Sequence, residues 1–314
     1  MGKIVSFSQF VKDINEGGAA IKSSRSIRED EVKQTLDHIK QVLFPLLGIS
    51  PEKEGTDFLM IGSTGKKPNP DDLSGDIDIT YNGRDFSRKH NITFKECSKF
   101  LRDLIEVGIQ NSLGYSLEMN VLKGLNILSI GWPIKGDINN GVVQLDLIPV
   151  SSMDWARFIY YSPDYRTKES SWKSAHRNWL LSAALIAQKE VLGTDEAGEV
   201  LDYKKPVLIL PTGLWFHTKT YRSKIKGRAR NLNPQKIEGS EELITDDPQE
   251  FIDFALGTGY KQEDVKTFEQ VLKIMTSPNF KHKDFLPEIK EKFIELLNRT
   301  GLPVPPETEL LSKD

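Results

Sequence analysis

The sequence predicts an α+β fold, in which a mixed sheet with flanking helices is followed by a mainly helical domain. Short apolar or alternating runs, typical of strands, occur between residues 57 and 149. Apolar residues at helical spacing flank these runs and dominate beyond residue 162. The length of 314 residues suits about two domains. We therefore expect a lead-in segment over 1–25, a first domain over 26–162 and a second domain over 163–314.

The first predicted domain alternates between helices and strands. Apolar residues at helical spacing predict a helix that begins near Ser26 and ends at Pro45 and Gly48. A capping box at Thr93–Glu96 predicts the start of a second amphipathic helix. Short apolar or alternating runs predict the strands between them. These strands are Asp57–Ile61, Asp76–Tyr81, Leu125–Ile130 and Val142–Pro149.

The second predicted domain is read mainly as helices. An apolar stripe that includes Trp172 and Trp179 predicts one helix, with both tryptophans in the core. Later helices are expected to begin near Pro248, Glu263 and Leu286. Beyond residue 162, Val207–Leu210 is the main segment with the composition of a strand.

Composition excludes several classes of protein. The formal net charge of −3 does not indicate nucleic-acid binding by the whole surface, so any basic surface must be local. The single cysteine, Cys97, excludes an intramolecular disulfide framework and is expected to be a buried apolar residue. No apolar stretch approaches the roughly 20 residues that span a bilayer, and residues 1–10 lack the apolar run of a signal peptide. We therefore expect a cytoplasmic protein with no membrane partner.

Three acidic residues carry the candidate chemistry. Asp76 and Asp78 alternate with isoleucines in one predicted strand, so both side chains project from the same face. Asp146 lies between Leu145 and Leu147 in another alternating strand. If the two strands are neighbours, the three carboxylates meet at one place. They would then repel one another without a cation, and carboxylate oxygens suit a pair of Mg²⁺ or Mn²⁺ ions. The alternative is that the acids cap a loop or face solvent.

The loop between the first two predicted strands carries candidate phosphate-binding groups. Gly62 lets the backbone approach a phosphate closely, because glycine has no side chain. The hydroxyl of Ser63 and nearby backbone N–H groups can donate hydrogen bonds to phosphate oxygens. Lys66 and Lys67 follow in the same loop and can neutralise a triphosphate. The loop therefore complements the acids, which would hold the metal ions.

The order of these motifs resembles the signature of the DNA polymerase beta-like nucleotidyltransferase superfamily. Ile61-Gly62-Ser63 is followed after twelve residues by Asp76-Ile77-Asp78-Ile79, and the third acid, Asp146, lies between two leucines. Ser74–Asp78 and Gln144–Pro163 are most similar to the polymerase X branch of that superfamily. The resemblance implies a palm-like catalytic domain, with a second domain that closes one side of its cleft.

The resemblance also implies roles for individual residues. Asp76 and Asp78 would bind both metal ions. Asp146 would bind the catalytic ion and help to deprotonate an acceptor hydroxyl. The implied reaction moves a nucleoside monophosphate from a nucleoside triphosphate, such as ATP, to that hydroxyl and releases pyrophosphate. The residues expected to contact the triphosphate are Gly62, Ser63, Lys66 and Gly75.

A second signal concerns the acceptor. Between Tyr203 and Ile237, basic and aromatic residues are interleaved without any Asp or Glu. Such a segment suits contact with a phosphate backbone and stacked bases, although it can also be a solvated surface balanced by the acidic residues 238–250. No helix-hairpin-helix pattern precedes the acids, so we expect template-independent addition to a nucleic-acid 3′ end and favour RNA. The residues expected to contact this acceptor are Lys224, Lys226, Arg228 and Arg230.

Two other functions fit the same residues. In the first, the acceptor is a small molecule or a protein, and the basic segment has no part in the reaction. In the second, the chain is a non-catalytic member that uses the fold to bind a nucleotide or a partner. The sequence does not indicate an oligomeric state.

Overall fold

A computed structural model describes residues 20–113, 115–122, 126–163, 166–194, 200–221, 236–238 and 240–312. The described residues fall into two compact units. The first unit comprises the described residues of two segments, Met1–Ser174 and Leu297–Pro303. The second unit comprises the described residues of Ala175–Leu296 and Val304–Asp314. Both contain helices and strands, so the α+β class is confirmed, and the division falls after the predicted boundary at residue 162.

One mixed sheet organises the first unit. The strands of this unit are β1 (Ile27–Arg28), β2 (Phe58–Ile61), β3 (Leu73–Ser74), β4 (Asp76–Asn82), β5 (Met119–Leu122), β6 (Ile127–Pro133) and β7 (Val142–Val150). The sheet has the order β2–β4–β7–β6–β5, in which β4 and β7 are parallel and the other neighbours are antiparallel. A short antiparallel pair, β1 with β3, lies outside this sheet. The helices are α1 (Glu29–Leu47), α2 (Gly83–His90), α3 (Cys97–Leu113) and α4 (Met153–Ile159).

The two faces of this sheet have different surroundings. On one face, Ile77 and Leu145 belong to the main core together with residues of α1 and α3. On the other face, Ile148 and Val150 pack with Ala156 of α4. Gln144 and Asp146 alternate with Val143, Leu145 and Leu147, so they lie on this second face, toward the start of β7. The helical members of the main core include Val32, Ile39, Leu43, Phe44, Cys97, Leu101 and Ile105.

The helix ends differ in detail from the sequence prediction. α1 begins at Glu29 rather than near Ser26, because the carboxylate of Glu31 accepts the backbone N–H of Arg28 at 3.1 Å and so fixes the first turn. Pro45 lies inside the helix, which ends before Gly48, where φ is 65°. The capping box predicted at Thr93–Glu96 is confirmed, and it begins a 3₁₀ turn that leads into α3.

The second unit contains an antiparallel sheet that the sequence analysis missed. Its strands are β8 (Glu190–Thr194), β9 (Val200–Ile209), β10 (Gly213–Tyr221), β11 (Lys236–Glu238) and β12 (Glu241–Thr245). They have the order β11–β10–β9–β8, and β12 also pairs with β10. The expectation of few strands beyond residue 162 is therefore wrong. The helices from residue 174 onward are α5 (Ser174–Ala184), α6 (Pro248–Leu256), α7 (Phe268–Met275) and α8 (Leu286–Thr300).

Local composition explains why these strands were missed. β9 contains two lysines before Pro206, and both residue types are depleted in strands. The lysine and histidine in β10 made it resemble part of a basic surface. Pairs of apolar residues across the two strands, such as Leu214 with Leu208 and Trp215 with Val207, stabilise the strands despite their poor local propensity.

The helices of the second unit bury their own apolar core. Phe251, Phe268 and Phe293 are at most 1% exposed, and the rings of Phe268 and Phe293 stack with centroids 5.7 Å apart. Trp179 is 5% exposed, as expected for a core residue, whereas Trp172 is half-buried. None of the helices in the described part of the chain combines the length and apolar character needed to cross a bilayer.

Candidate metal centre

The parallel pairing of β4 with β7 brings the three predicted acids together. Asp78 lies directly opposite Asp146, and Asp76 lies opposite Gln144. Residues paired in this way project from the same face of a sheet. One ligand oxygen from each of Asp76, Asp78 and Asp146 lies within 4.8 Å of the other two. The three acids therefore have the spacing needed to hold a metal ion.

Burial and mutual repulsion disfavour the ionised form of these carboxyl groups. Burial is the main cause that raises the pKa of Asp78, and the charges of Asp76 and Asp146 raise it further. The pKa of Asp146 rises to about 6, mainly through burial, while the Ser129 hydroxyl and the Gln144 amide act in the opposite direction. A divalent cation would offset this repulsion, and Mg²⁺ and Mn²⁺ prefer carboxylate oxygens. The residues therefore fit a metal site.

Two lysines place positive charge near Asp76. Burial raises the pKa of Asp76, while Lys67 and Lys173 lower it. Lys173 is exposed and far along the chain, so no motif in the sequence associated it with the acids. Lys66, the lysine predicted to contact a triphosphate, donates from Nζ to the backbone oxygen of Ser162 at 3.2 Å. The structure thus places the loop residue Lys67 near Asp76 and adds Lys173, which the sequence analysis did not name, to the charged groups around the acids.

The glycine turn after β2 lies against one of the acids. Gly62 has a φ of 76°, and a Cβ atom placed on it would lie 2.8 Å from Oδ2 of Asp78. A side chain there would displace the carboxylate, so this turn needs glycine for both space and backbone conformation. The neighbouring Ser63 is half-buried, and the exposed Gly75 immediately precedes Asp76. The predicted phosphate-binding residues Gly62, Ser63 and Gly75 therefore adjoin the acids.

The first turn of α1 holds the loop that follows Ser63. The backbone N–H groups of Gly65 and Lys67 donate to the carboxylate of Glu29 at 3.2 and 3.4 Å. The hydroxyl of Thr64 donates to the backbone oxygen of Asp76 at 2.6 Å. These bonds connect the loop both to α1 and to the start of β4, so they fix its path beside the acids.

Two uncharged residues near the acids were missed in the sequence. Gln144 donates from Nε2 to both carboxylate oxygens of Asp146, at 3.1 Å each. Tyr160 has a raised pKa, mainly through burial and in part through the charge of Asp78. Gln144 precedes Asp146 by two residues in one strand, so alternation alone could have identified it. Tyr160 follows α4, and only the folded chain relates it to the acids.

The predicted acceptor-binding residues Lys224, Lys226, Arg228 and Arg230 lie outside the described residues. At the described start of the basic segment, Lys204 forms an ion pair with Glu242 at 3.2 Å. Its Nζ atom also lies 4.1 Å from the ring centroid of Phe216. Lys204 and Phe216 therefore contact each other, and the charge of this lysine is balanced by an acid. The prediction of nucleic-acid contact stays a prediction.

The chain matches no known protein-family model, no curated protein sequence and no solved structure. The function proposed below therefore rests on the residues and the geometry of this chain.

Proposed function

We propose that this chain is a metal-dependent nucleotidyltransferase with a palm-like catalytic domain, similar to the DNA polymerase beta-like superfamily. The proposal rests mainly on one observation. The ligand oxygens of Asp76, Asp78 and Asp146 lie within 4.8 Å of one another, and the Gly62 turn lies against Asp78. Metal-binding acids next to a glycine turn suit a reaction in which a metal ion and a phosphate must meet.

The proposed reaction transfers a nucleoside monophosphate to an acceptor hydroxyl. The acceptor oxygen forms a bond to the α-phosphorus, the bond from this phosphorus to the β-phosphate oxygen breaks, and pyrophosphate leaves. Two bound Mg²⁺ or Mn²⁺ ions would supply activation of the hydroxyl and neutralisation of the leaving charge. Asp76 and Asp78 would hold both ions. Asp146 would hold one ion and assist removal of the hydroxyl proton.

The groups around the acids suit a nucleoside triphosphate. Gly62 leaves room for a phosphate near the backbone, and Ser63 can donate a hydrogen bond from its hydroxyl. Lys67 and Lys173 lie close enough to Asp76 to lower its pKa, so they can also attract phosphate charge. Lys66 donates to the Ser162 backbone oxygen and Lys67 donates to the Leu73 backbone oxygen, so both loop lysines have a backbone partner. Because the charges of Lys67 and Lys173 act on Asp76, we expect these two lysines to contribute more to triphosphate binding than Lys66.

A transfer assay tests the proposal directly. The protein is incubated with Mg²⁺ or Mn²⁺, with each labelled nucleoside triphosphate in turn, and with tRNA, single-stranded RNA, DNA or no added acceptor. Label should move to an acceptor with the wild type and not with Asp76→Ala/Asp78→Ala. Asp71→Ala is the matched control, because it removes an exposed acid from the same loop. Absence of both transfer and pyrophosphate release would contradict the proposal.

The favoured acceptor is the 3′ end of RNA, because the segment between Tyr203 and Ile237 contains lysines and arginines but no Asp or Glu. Changing Lys224, Lys226, Arg228 and Arg230 together to glutamine should weaken transfer to RNA. A control with four exposed lysines elsewhere changed to glutamine should not; these are Lys33, Lys95, Lys99 and Lys283. Equal activity of both variants would instead favour a small-molecule or protein acceptor. Unchanged biological activity of Asp76→Ala would favour a non-catalytic binding protein.

A further inference from the structure

A short strap that precedes β1, Ala20–Arg25, lies against the sheet near the acids. Ser24 forms a parallel bridge with Val142 at the start of β7, and the backbone N–H of Arg25 donates to the Val142 oxygen at 2.8 Å. Ile21 is 1% exposed, and a Cβ atom on Gly131 would lie 3.1 Å from its Cγ2 atom. Gly131 thus leaves space for the strap opposite Gln144.

Two carboxylates anchor the strap to the rest of the unit. Glu118 accepts the backbone N–H groups of Lys22 and Ser23 at 3.0 and 3.2 Å, and the Ser23 hydroxyl at 2.7 Å. Glu31 accepts two hydrogen bonds from the guanidinium of Arg25, at 2.9 and 3.0 Å. Hydrogen bonds to charged groups are among the stronger ones in proteins. The path of the strap is therefore fixed at its middle and at its C-terminal end.

The side-chain amide of Gln144 joins the strap to Asp146. Its Oε1 atom accepts the backbone N–H groups of Ala20 and Ile21 at 3.0 and 3.2 Å. Its Nε2 atom donates to both oxygens of Asp146 at 3.1 Å. Backbone N–H groups can only donate and an ionised carboxylate can only accept, so a single orientation of the amide satisfies both sides. The strap thereby sets the amide to donate toward Asp146.

We propose that the strap and Gln144 act as a positioning device for the candidate metal centre. The strap orients the Gln144 amide, and the amide holds the Asp146 carboxylate in place for metal binding. This inference depends on the metal centre of the proposed function but not on the transfer reaction. Residues that orient metal ligands typically change metal affinity by about 10–100-fold when they are altered. The strap should therefore influence the affinity of the centre for metal.

The test measures Mn²⁺ binding alone, by the electron paramagnetic resonance signal of free Mn²⁺, without any nucleotide. Gln144→Met keeps the side-chain length but removes the amide, and it should raise the dissociation constant about 10-fold. Glu118→Ala releases the strap without changing Gln144 or any of the three acids, and it should raise the constant about threefold, less than direct loss of the amide. Glu96→Ala is the matched control, because Glu96 also accepts a backbone N–H and a hydroxyl, from Thr93.

The double variant distinguishes positioning from general loss of stability. If Glu118 acts through Gln144, then Gln144→Met/Glu118→Ala should bind Mn²⁺ no more weakly than Gln144→Met. The proposal would be overturned if the two losses of Mn²⁺ affinity multiplied in the double variant. It would also be overturned if folded Gln144→Met bound Mn²⁺ with wild-type affinity. If Gln144→Met does not fold, as judged by circular dichroism, then the test is the Mn²⁺ affinity of Glu118→Ala compared with that of the control Glu96→Ala. Weaker binding than in Glu96→Ala would support the proposal, and equal binding would overturn it.

Metal binding also separates this inference from the proposed function. A wild-type chain that binds Mn²⁺ through Gln144 but transfers no label would refute the transferase and leave the positioning device standing. A wild-type chain that does not bind Mn²⁺ would refute the positioning device, whatever activity it has.

Discussion

Burial of the Asp146 carboxyl, together with the nearby charge of Asp76, should make the metal-free protein less stable than its Asp146→Asn variant at neutral pH. The pKa of Asp146 is about 6 in the folded protein, compared with an ordinary value of 3.8. At about 1.4 kcal/mol for each unit of pKa, ionising this carboxyl costs the folded state about 3 kcal/mol. Asparagine has a similar shape and no charge, so the substitution should recover part of that free energy, less the cost of placing its NH2 group against the Nε2 donor of Gln144.

The sign of the pH dependence follows from where the proton is bound more tightly. Between pH 3.8 and about 6, the folded chain holds the Asp146 proton while the unfolded chain has lost it. The contribution of this group to stability is therefore present below pH 3.8 and disappears as the pH rises through about 6. The variant lacks this dependence, so its advantage should be small near pH 4 and largest above pH 7.

Urea unfolding in EDTA, followed by far-ultraviolet circular dichroism, measures the difference. Asp146→Asn should exceed the wild type by about 1–3 kcal/mol above pH 7, and by much less near pH 4. The exposed Asp71→Asn is the control and should match the wild type at both pH values. Saturating Mn²⁺ should stabilise the wild type and have little effect on Asp146→Asn. Equal stability of the wild type and Asp146→Asn above pH 7 would refute the reasoning.

Three further predictions concern other parts of the first unit. Gly62→Ala and Gly65→Ala should each lose about 1–2 kcal/mol of stability in urea unfolding, since both glycines have positive φ, but only Gly62→Ala should weaken Mn²⁺ binding. Cys97 is buried with a pKa raised to about 11, so iodoacetamide at pH 8 should label it in urea and not in the folded protein, as mass spectrometry would show. The hydrogen bond from Arg25 lowers the pKa of Glu31 to about 2, so the wild type should lose stability as the pH falls from 4.5 toward 2, and a pH series of Glu31→Gln should lack that loss.

Much of the candidate site was predictable because alternation along a strand depends on local sequence alone. Asp76 and Asp78 had to share a face, because both alternate with isoleucines in one strand. The same rule applied to Gln144, but a lone amide beside an acid does not indicate chemistry. The sequence did not show that β4 and β7 are neighbours, and their pairing could only be assumed. The structure shows that the two strands pair in parallel.

Features that depend on distant partners were not predictable. The strap Ala20–Arg25 has no periodic pattern, and its partners Glu118 and Gln144 lie about a hundred residues away, as the 96- and 124-residue separations show. Lys173 shares no motif with Asp76. The sheet of the second unit depends on cross-strand pairs that outweigh the poor strand propensity of its lysines and Pro206. In each case the stabilising partner is far along the chain, where local pattern carries no information.

The parallel pairing of β4 with β7 has a consequence for folding kinetics. A tight turn cannot join parallel neighbours, and here α2, α3, β5 and β6 all lie between the two strands along the chain. The ligand oxygens can therefore meet only after most of the unit has assembled, and such long-range contacts form late. A cation that needs all three acids would bind after the transition state. Mn²⁺ should then slow unfolding and leave the refolding rate nearly unchanged.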